Sequence, residues 1–126
     1  MLAIAPGWEL EVERGPDWLL VRVKAPGGDA IDSPPLAEQV WALLQQHFTY
    51  RVVLELEEIE VLNSHLIGQL VRLHRLVGQH DGLMRLCGLS AYNQRVLQTC
   101  RLDQRFLSYQ DRIEAVMGMC RPHLPR

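Results

Sequence analysis

The chain has 126 residues, 48% hydrophobic and 22% charged, and its 13 basic and 15 acidic side chains leave a formal net charge of −2. A polypeptide of this length hides roughly two-thirds of its unfolded surface on folding, so it can build a core without metals or disulfide staples, and disorder is excluded. The near-neutral balance argues against nucleic acid, which demands a concentrated basic surface, and with Lys24 as the sole lysine, Schiff-base chemistry is all but removed.

Met1 to Pro6 lacks a basic leader and is too short in its apolar run for a signal peptide, and no stretch of about 18 apolar residues follows. The expectation is a protein that is neither exported nor membrane-spanning. Trp8, Leu10 and Val12 alternate with Glu9, Glu11 and Glu13, the period-two pattern of a strand with one wet face. Gly15-Pro16-Asp17 breaks the run, which resumes from Trp18 to Lys24 with Leu19, Val21 and Val23 on one side and Arg22 and Lys24 on the other; the pair reads as a hairpin.

Residues 25–35 carry Pro26-Gly27-Gly28 and Pro34-Pro35 and read as a loop. A helix follows, capped by Asp32 or Ser33, with Leu36, Val40, Leu43 and Leu44 at helical spacing, and ends near His47. Val52, Leu54 and Leu56 oppose Val53, Glu55 and Glu57 in a third strand. A second helix starts around Ser64, with Leu66, Ile67, Leu70, Leu73 and Val77 on one face and Gln69, Arg72, Arg75 and Gln79 outside it. Leu83 to Cys87 forms a fourth strand, Ser90 caps a helix through Cys100, Phe106 to Tyr109 is a short fifth strand, and Asp111 to Met119 is the last helix.

Strict alternation of strand and helix implies parallel pairing of strands two to five with right-handed crossovers. Doubly wound sheets read as unbroken apolar strands, whereas these carry charge at alternate positions. The fold class is therefore α/β: a two-layer, mostly parallel five-stranded sheet with an antiparallel first strand, helices mainly on one face, and the other face partly wet. Residues 1–126 read as a single domain with its core at about 8–118.

Neither Gly-x-Gly-x-x-Gly nor a Walker loop is present, so no cofactor is expected. His47, His65, His74, His80 and His123 form no i, i+4 pair on a helix face, and His74 reads as a boundary residue; no metal is expected. Cys87, Cys100 and Cys120 make an odd set without C-x-x-C spacing, which fits a reduced, cytoplasmic compartment and inert packing. An enzyme built on a Cys-His pair is the weakest reading, and the expected answer is no enzyme.

Leu62-Asn63-Ser64-His65-Leu66-Ile67-Gly68 follows the third strand and opens the second helix. With Val53 to Val61 before it, Gly68 to Leu76 after it, Leu86-Cys87-Gly88-Leu89-Ser90, Arg95-Val96-Leu97, Leu102-Asp103 and Phe106, it resembles the STAS domain of anti-sigma-factor antagonists. The resemblance implies a partner-switching regulator of transcription. Such a protein captures an anti-sigma factor that is also a serine kinase, and phosphorylation of a serine at the start of the second helix releases that partner. By motif position that serine is Ser64, and Asn63, Ser64, His65, Leu66, Ile67 and Gly68 are the implied partner-binding residues, with His65 and Leu66 expected to be exposed. The family's usual run is Asp-Ser-Ser/Thr-Gly-Leu-Gly/Ala; here the hydroxyl and the final glycine remain, while the acidic neighbour, second hydroxyl and first glycine do not. The runner-up is a non-phosphorylated STAS interaction module acting as a scaffold or as a cytosolic subunit of a membrane transport system. In either case the expected state is a monomer or weak dimer.

Overall fold

The computed structural model describes residues 2–26 and 34–118. The elements are β1 (Leu2–Ala5), β2 (Trp8–Arg14), β3 (Leu19–Lys24), α1 (Leu36–Gln46), β4 (Arg51–Glu55), α2 (Ser64–Gln79), β5 (Leu83–Cys87), α3 (Ala91–Thr99), β6 (Ser108–Tyr109) and α4 (Arg112–Met117). They form one six-stranded sheet in the order β1-β2-β3-β4-β5-β6. β1 and β3 are antiparallel to β2, while β3, β4, β5 and β6 run parallel.

The expected hairpin, parallel order and crossover helices are all present. The strand count is one higher than expected. Leu2–Ala5 is a four-residue apolar segment without alternation, and it becomes a strand because it pairs with the exposed edge of β2. The turn between them needs Gly7: its φ is +79°, and a Cβ there would lie 2.6 Å from the Cβ of Pro26.

Cross-strand register explains the two faces. Leu10 lies opposite Val23, Val21 beside Leu54, and Leu54 beside Leu86, so these side chains meet on the face that receives α1, α2 and α3. Leu36, Val40 and Leu44 of α1 and Leu66, Leu70, Leu73 and Val77 of α2 complete that core. The opposite face was expected to be partly wet. Its rim is, with Glu11, Glu13, Arg22 and Lys24 there, but its centre is dry: Trp18, Leu20, Val53 and Cys87 pack beneath Ala115 of α4. Charge at alternate positions thus marks the strand margins, and one short helix closes the middle.

The predicted cap of α1, Asp32 or Ser33, lies outside the described residues. Pro35 occupies the N-cap position and offers no side-chain acceptor, so the free Ala37 N–H is taken by Gln69 Oε1 of α2 at 2.9 Å. Gln69, expected on the solvent face, is half-buried for that reason.

Helices α1, α2 and α3 end on residues in the left-handed region, Phe48 (φ 53°), Asp81 (φ 55°) and Arg101 (φ 59°), where glycine would be unstrained. The Thr49 N–H to Leu44 oxygen bond, 3.2 Å, closes the first of these ends, and Gly82 N–H to Val77 oxygen, 2.9 Å, the second.

Candidate functional site

The site lies where β4 ends and α2 begins, at the carboxyl end of the parallel strands. β4 delivers Glu55, and an eight-residue connection then carries Glu57, Glu58 and Glu60, all exposed, to Asn63. Two anchors hold this connection. Leu56 N–H donates to the Cys87 oxygen at 2.9 Å, continuing the ladder with β5. Asn93, wholly buried on α3, accepts from Leu62 N–H and donates its amide to the Ile59 oxygen, both at 2.9 Å. A single side chain thus satisfies one donor and one acceptor of a buried loop backbone. The adjoining β5–α3 turn is equally constrained: Gly88 has φ +75°, and a Cβ there would meet Glu57 Cγ at 2.3 Å.

Asn63 is the N-cap of α2. Its Oδ1 accepts from Leu66 N–H at 2.9 Å, with extended backbone at φ −82° and ψ 173°. Ser64, the first helical residue, is exposed, and its hydroxyl makes no hydrogen bond among the described residues. The cap and the hydroxyl are therefore separate groups.

The remaining predicted site residues divide. Gly68 is exposed and Ile67 half-buried against the core. His65 is half-buried, and its Nε2 hydrogen-bonds the Pro34 oxygen at 3.0 Å, tying α2 to the entry of α1. Leu66 was expected to be exposed. It is 4% exposed, because it falls on the same helical stripe as Leu70, Leu73 and Val77 and points into the core. Its contribution is to seat the helix start. Sequence reasoning missed Val61 and Tyr92, large side chains 51% and 59% exposed at this end of the sheet. It also missed Asn93; its signal was an amide on the same helical face as Leu97, i and i+4.

Behind the loop runs a charge network. Arg112 of α4 grips the buried Glu55 bidentately, Nε to Oε1 at 2.9 Å and Nη2 to Oε2 at 2.7 Å, and also contacts Glu13. Arg22 bridges Glu55 at 3.5 Å and Glu57 at 3.4 Å. Hydrogen bonding to Glu55 raises the Arg112 pKa against the opposing effect of burial; for Arg22, burial is outweighed by the Glu55 and Glu57 carboxylates, and its pKa also rises. Potential ligand atoms of Glu55, Glu57 and Cys87 lie within 4.8 Å of one another, but both Glu55 oxygens already serve Arg112.

Burial first, and then the Glu55 and Glu57 carboxylates, push the Cys87 thiol from an ordinary 9.0 up to about 12. The thiol stays protonated and unreactive at neutral pH. Because the folded value is the higher one, the neutral thiol favours the fold fully below pH 9.0, and this contribution is lost as the pH rises toward about 12. Brief alkylation with iodoacetamide at pH 8 is expected to label exposed Cys100 and spare Cys87, with both labelled in denaturant; peptide mass mapping reads the difference. His74, beside the ring of Phe106 at 5.3 Å between centroids, has its pKa lowered by burial and then by Arg105, consistent with a boundary residue.

An antiparallel hairpin feeding four parallel strands, with a capped helix opening on a surface serine, defines an α/β module of the STAS type. Residues 9–115 match the family model for the STAS domain, and the chain belongs to that family. A solved structure of an anti-sigma factor antagonist from Mycobacterium paratuberculosis is similar, with TM-score 0.73 and 20% identity, over 93% of this chain and 98% of that one. A putative anti-sigma factor antagonist from Thermotoga maritima aligns with TM-score 0.70 and 18% identity, over 87% of this chain and 93% of that one. RsbS from Moorella thermoacetica gives TM-score 0.70 and 14% identity, over 86% of this chain and 92% of that one. At these identities the likeness is one of fold. No curated protein sequence matches the chain. Among the described residues no helix is long and apolar enough to cross a membrane.

Proposed function

We propose that this protein is an anti-sigma-factor antagonist-like regulator: a single, cytoplasmic, non-enzymatic STAS domain that binds an anti-sigma factor/serine kinase and is released when Ser64 is phosphorylated. The observation that carries the reading is the division of labour at the start of α2, where Asn63 caps the helix and leaves the Ser64 hydroxyl exposed to another polypeptide. Asn63, His65, Ile67 and Gly68 surround that hydroxyl in sequence, and Val61 and Tyr92 add apolar surface at the same end.

Phosphate adds about −1.5 to −2 charges. The positive end of the α2 dipole tolerates them, so the fold survives. An interface closed over Ser64 does not, since it would bury a dianion. Incubation with an anti-sigma factor/serine kinase and nucleotide is expected to put phosphate on Ser64, read by mass spectrometry. Ser64→Ala should bind that partner as the unmodified protein does, and Ser64→Asp at least about tenfold more weakly. Equal binding by both substitutions would assign the chain to constitutive scaffolding instead, and absence of both complex and phosphate would remove the proposal.

A further inference from the structure

The outer edge of β5 is covered over only part of its length. Leu83 N–H points toward β4, donating to the Tyr50 oxygen at 3.0 Å, and Leu86 N–H points away from β4, donating to the Leu107 oxygen at 2.9 Å. Alternation along the strand turns the N–H and C=O of Met84 toward the outer edge as well. β6 pairs with Leu86 and Cys87 and stops short of Met84, so neither Met84 group has a backbone partner among the described residues, although Met84 is only 6% exposed. Buried backbone groups are almost always hydrogen-bonded, and an unpaired strand edge is a template for another strand.

A cleft of about 110 Å³ opens at this place, between the end of α2 and residues 105–107. Its walls are apolar and cationic. Val77, Leu83 and Leu107 line it together with Arg85 and Arg105, and no carboxylate of the described residues does. Arg105 is exposed and makes no ion pair among the described residues. Arg85 is fixed by its Nη1, which donates to the Ala115 oxygen at 2.8 Å, and by the Trp18 ring, 4.8 Å from its guanidinium; its buried Nε has no hydrogen-bond partner.

An unpaired edge, an apolar wall and uncompensated positive charge meet in one cleft, and together they select the occupant. We propose that this edge of β5 docks the C-terminal residue of an extended peptide from another protein, an aliphatic residue bearing a free carboxylate. Its N–H donates to the Met84 oxygen, one carboxylate oxygen accepts from Met84 N–H, and the other faces Arg105. Paired residues on adjacent strands turn their side chains to one face, so the aliphatic group lies beside Met84 against Val77. The volume is below the roughly 150 Å³ that takes benzene, which favours a valine or leucine side chain over an aromatic one. β5 begins here, whereas Ser64 follows the carboxyl end of β4, so the proposal stands apart from the phosphorylation switch.

Titration with acetyl-Ala-Ala-Leu carrying a free carboxylate, followed by NMR, tests it. The expected result is saturable shifts at the Met84 amide and at the ring of His74, which also lines the cleft, with slowed hydrogen exchange at Met84. The C-terminal amide of the same peptide, and isocaproate, which keeps the carboxylate and aliphatic group but lacks the N–H, should each bind at least about tenfold more weakly. Arg105→Glu, at an exposed position, should keep the far-ultraviolet dichroism and weaken the free-carboxylate peptide by a similar factor. No saturable shift at millimolar peptide, equal binding of the amide form, normal binding by Arg105→Glu, or equal binding of isocaproate would each overturn the proposal, the last by assigning the cleft to small free acids.

Discussion

Arg112→Met is expected to lower the unfolding free energy by about 2–4 kcal/mol, measured as a shift of the urea midpoint. Breaking a buried ion pair from one side costs about 3–5 kcal/mol; the lower range applies because the Arg112 side chain is 36% exposed and water screens part of the attraction. The cost arises at Glu55, whose side chain is 3% exposed and which would keep only the longer contact to Arg22 at 3.5 Å. α4 has six residues, too few to persist as a helix without its anchor. Its release would uncover Trp18, Leu20, Val53 and Cys87, so the same variant should make Cys87 reactive to iodoacetamide at pH 8. Glu55→Leu combined with Arg112→Met should recover much of the lost stability, because no charge then remains buried without a partner. If the single variant unfolds at the wild-type midpoint and Cys87 stays protected, the Arg112–Glu55 pair does not hold α4.

The parts of this fold legible in the sequence are those with a period. Trp8 to Glu13 alternates, Leu66 to Val77 repeats at helical spacing, and both became the elements expected of them. Leu2–Ala5 has no period and was invisible as a strand. The burial of Leu66 was legible too: it shares the stripe of Leu70, Leu73 and Val77, and treating it as a contact residue because of the motif it sits in set aside the stronger physical signal. The Arg112–Glu55 pair spans 57 positions, and no local pattern connects them. What the sequence did show was a carboxylate directly after Val52, Val53 and Leu54, and a charge that follows such an apolar run into the core requires a partner from elsewhere. Periodicity gave the helix start near Ser64, and the resemblance to the STAS motif is what singled out its hydroxyl. Whether the serine or Asn63 would take the capping role was a choice between two competent acceptors, decided by the backbone, which puts Asn63 at the cap position.

Asn93→Leu carries the other large effect, because it separates the loop from the helix behind it. The leucine fills the space but leaves Leu62 N–H and the Ile59 oxygen without partners, at about 1–3 kcal/mol for each buried group. Stability should fall by at least about 2 kcal/mol in urea, and amide exchange at Leu62 should accelerate more than exchange in β4, since the damage is local. Asn93→Asp distinguishes the two bonds: an ionised carboxylate still accepts from Leu62 N–H but opposes the Ile59 oxygen with a second acceptor, so it should be destabilised at neutral pH and partly rescued in acid, where a protonated carboxyl donates again. The consequence reaches the surface. Residues 59–62 set the entry angle of α2, and Asn63 and Ser64 follow directly, so a loosened loop presents the hydroxyl in many orientations. On the proposed reading, Asn93→Leu should weaken partner binding even with Ser64 unchanged, whereas Ser64→Ala should leave stability close to wild type, and that contrast separates positioning of the site from contact at it.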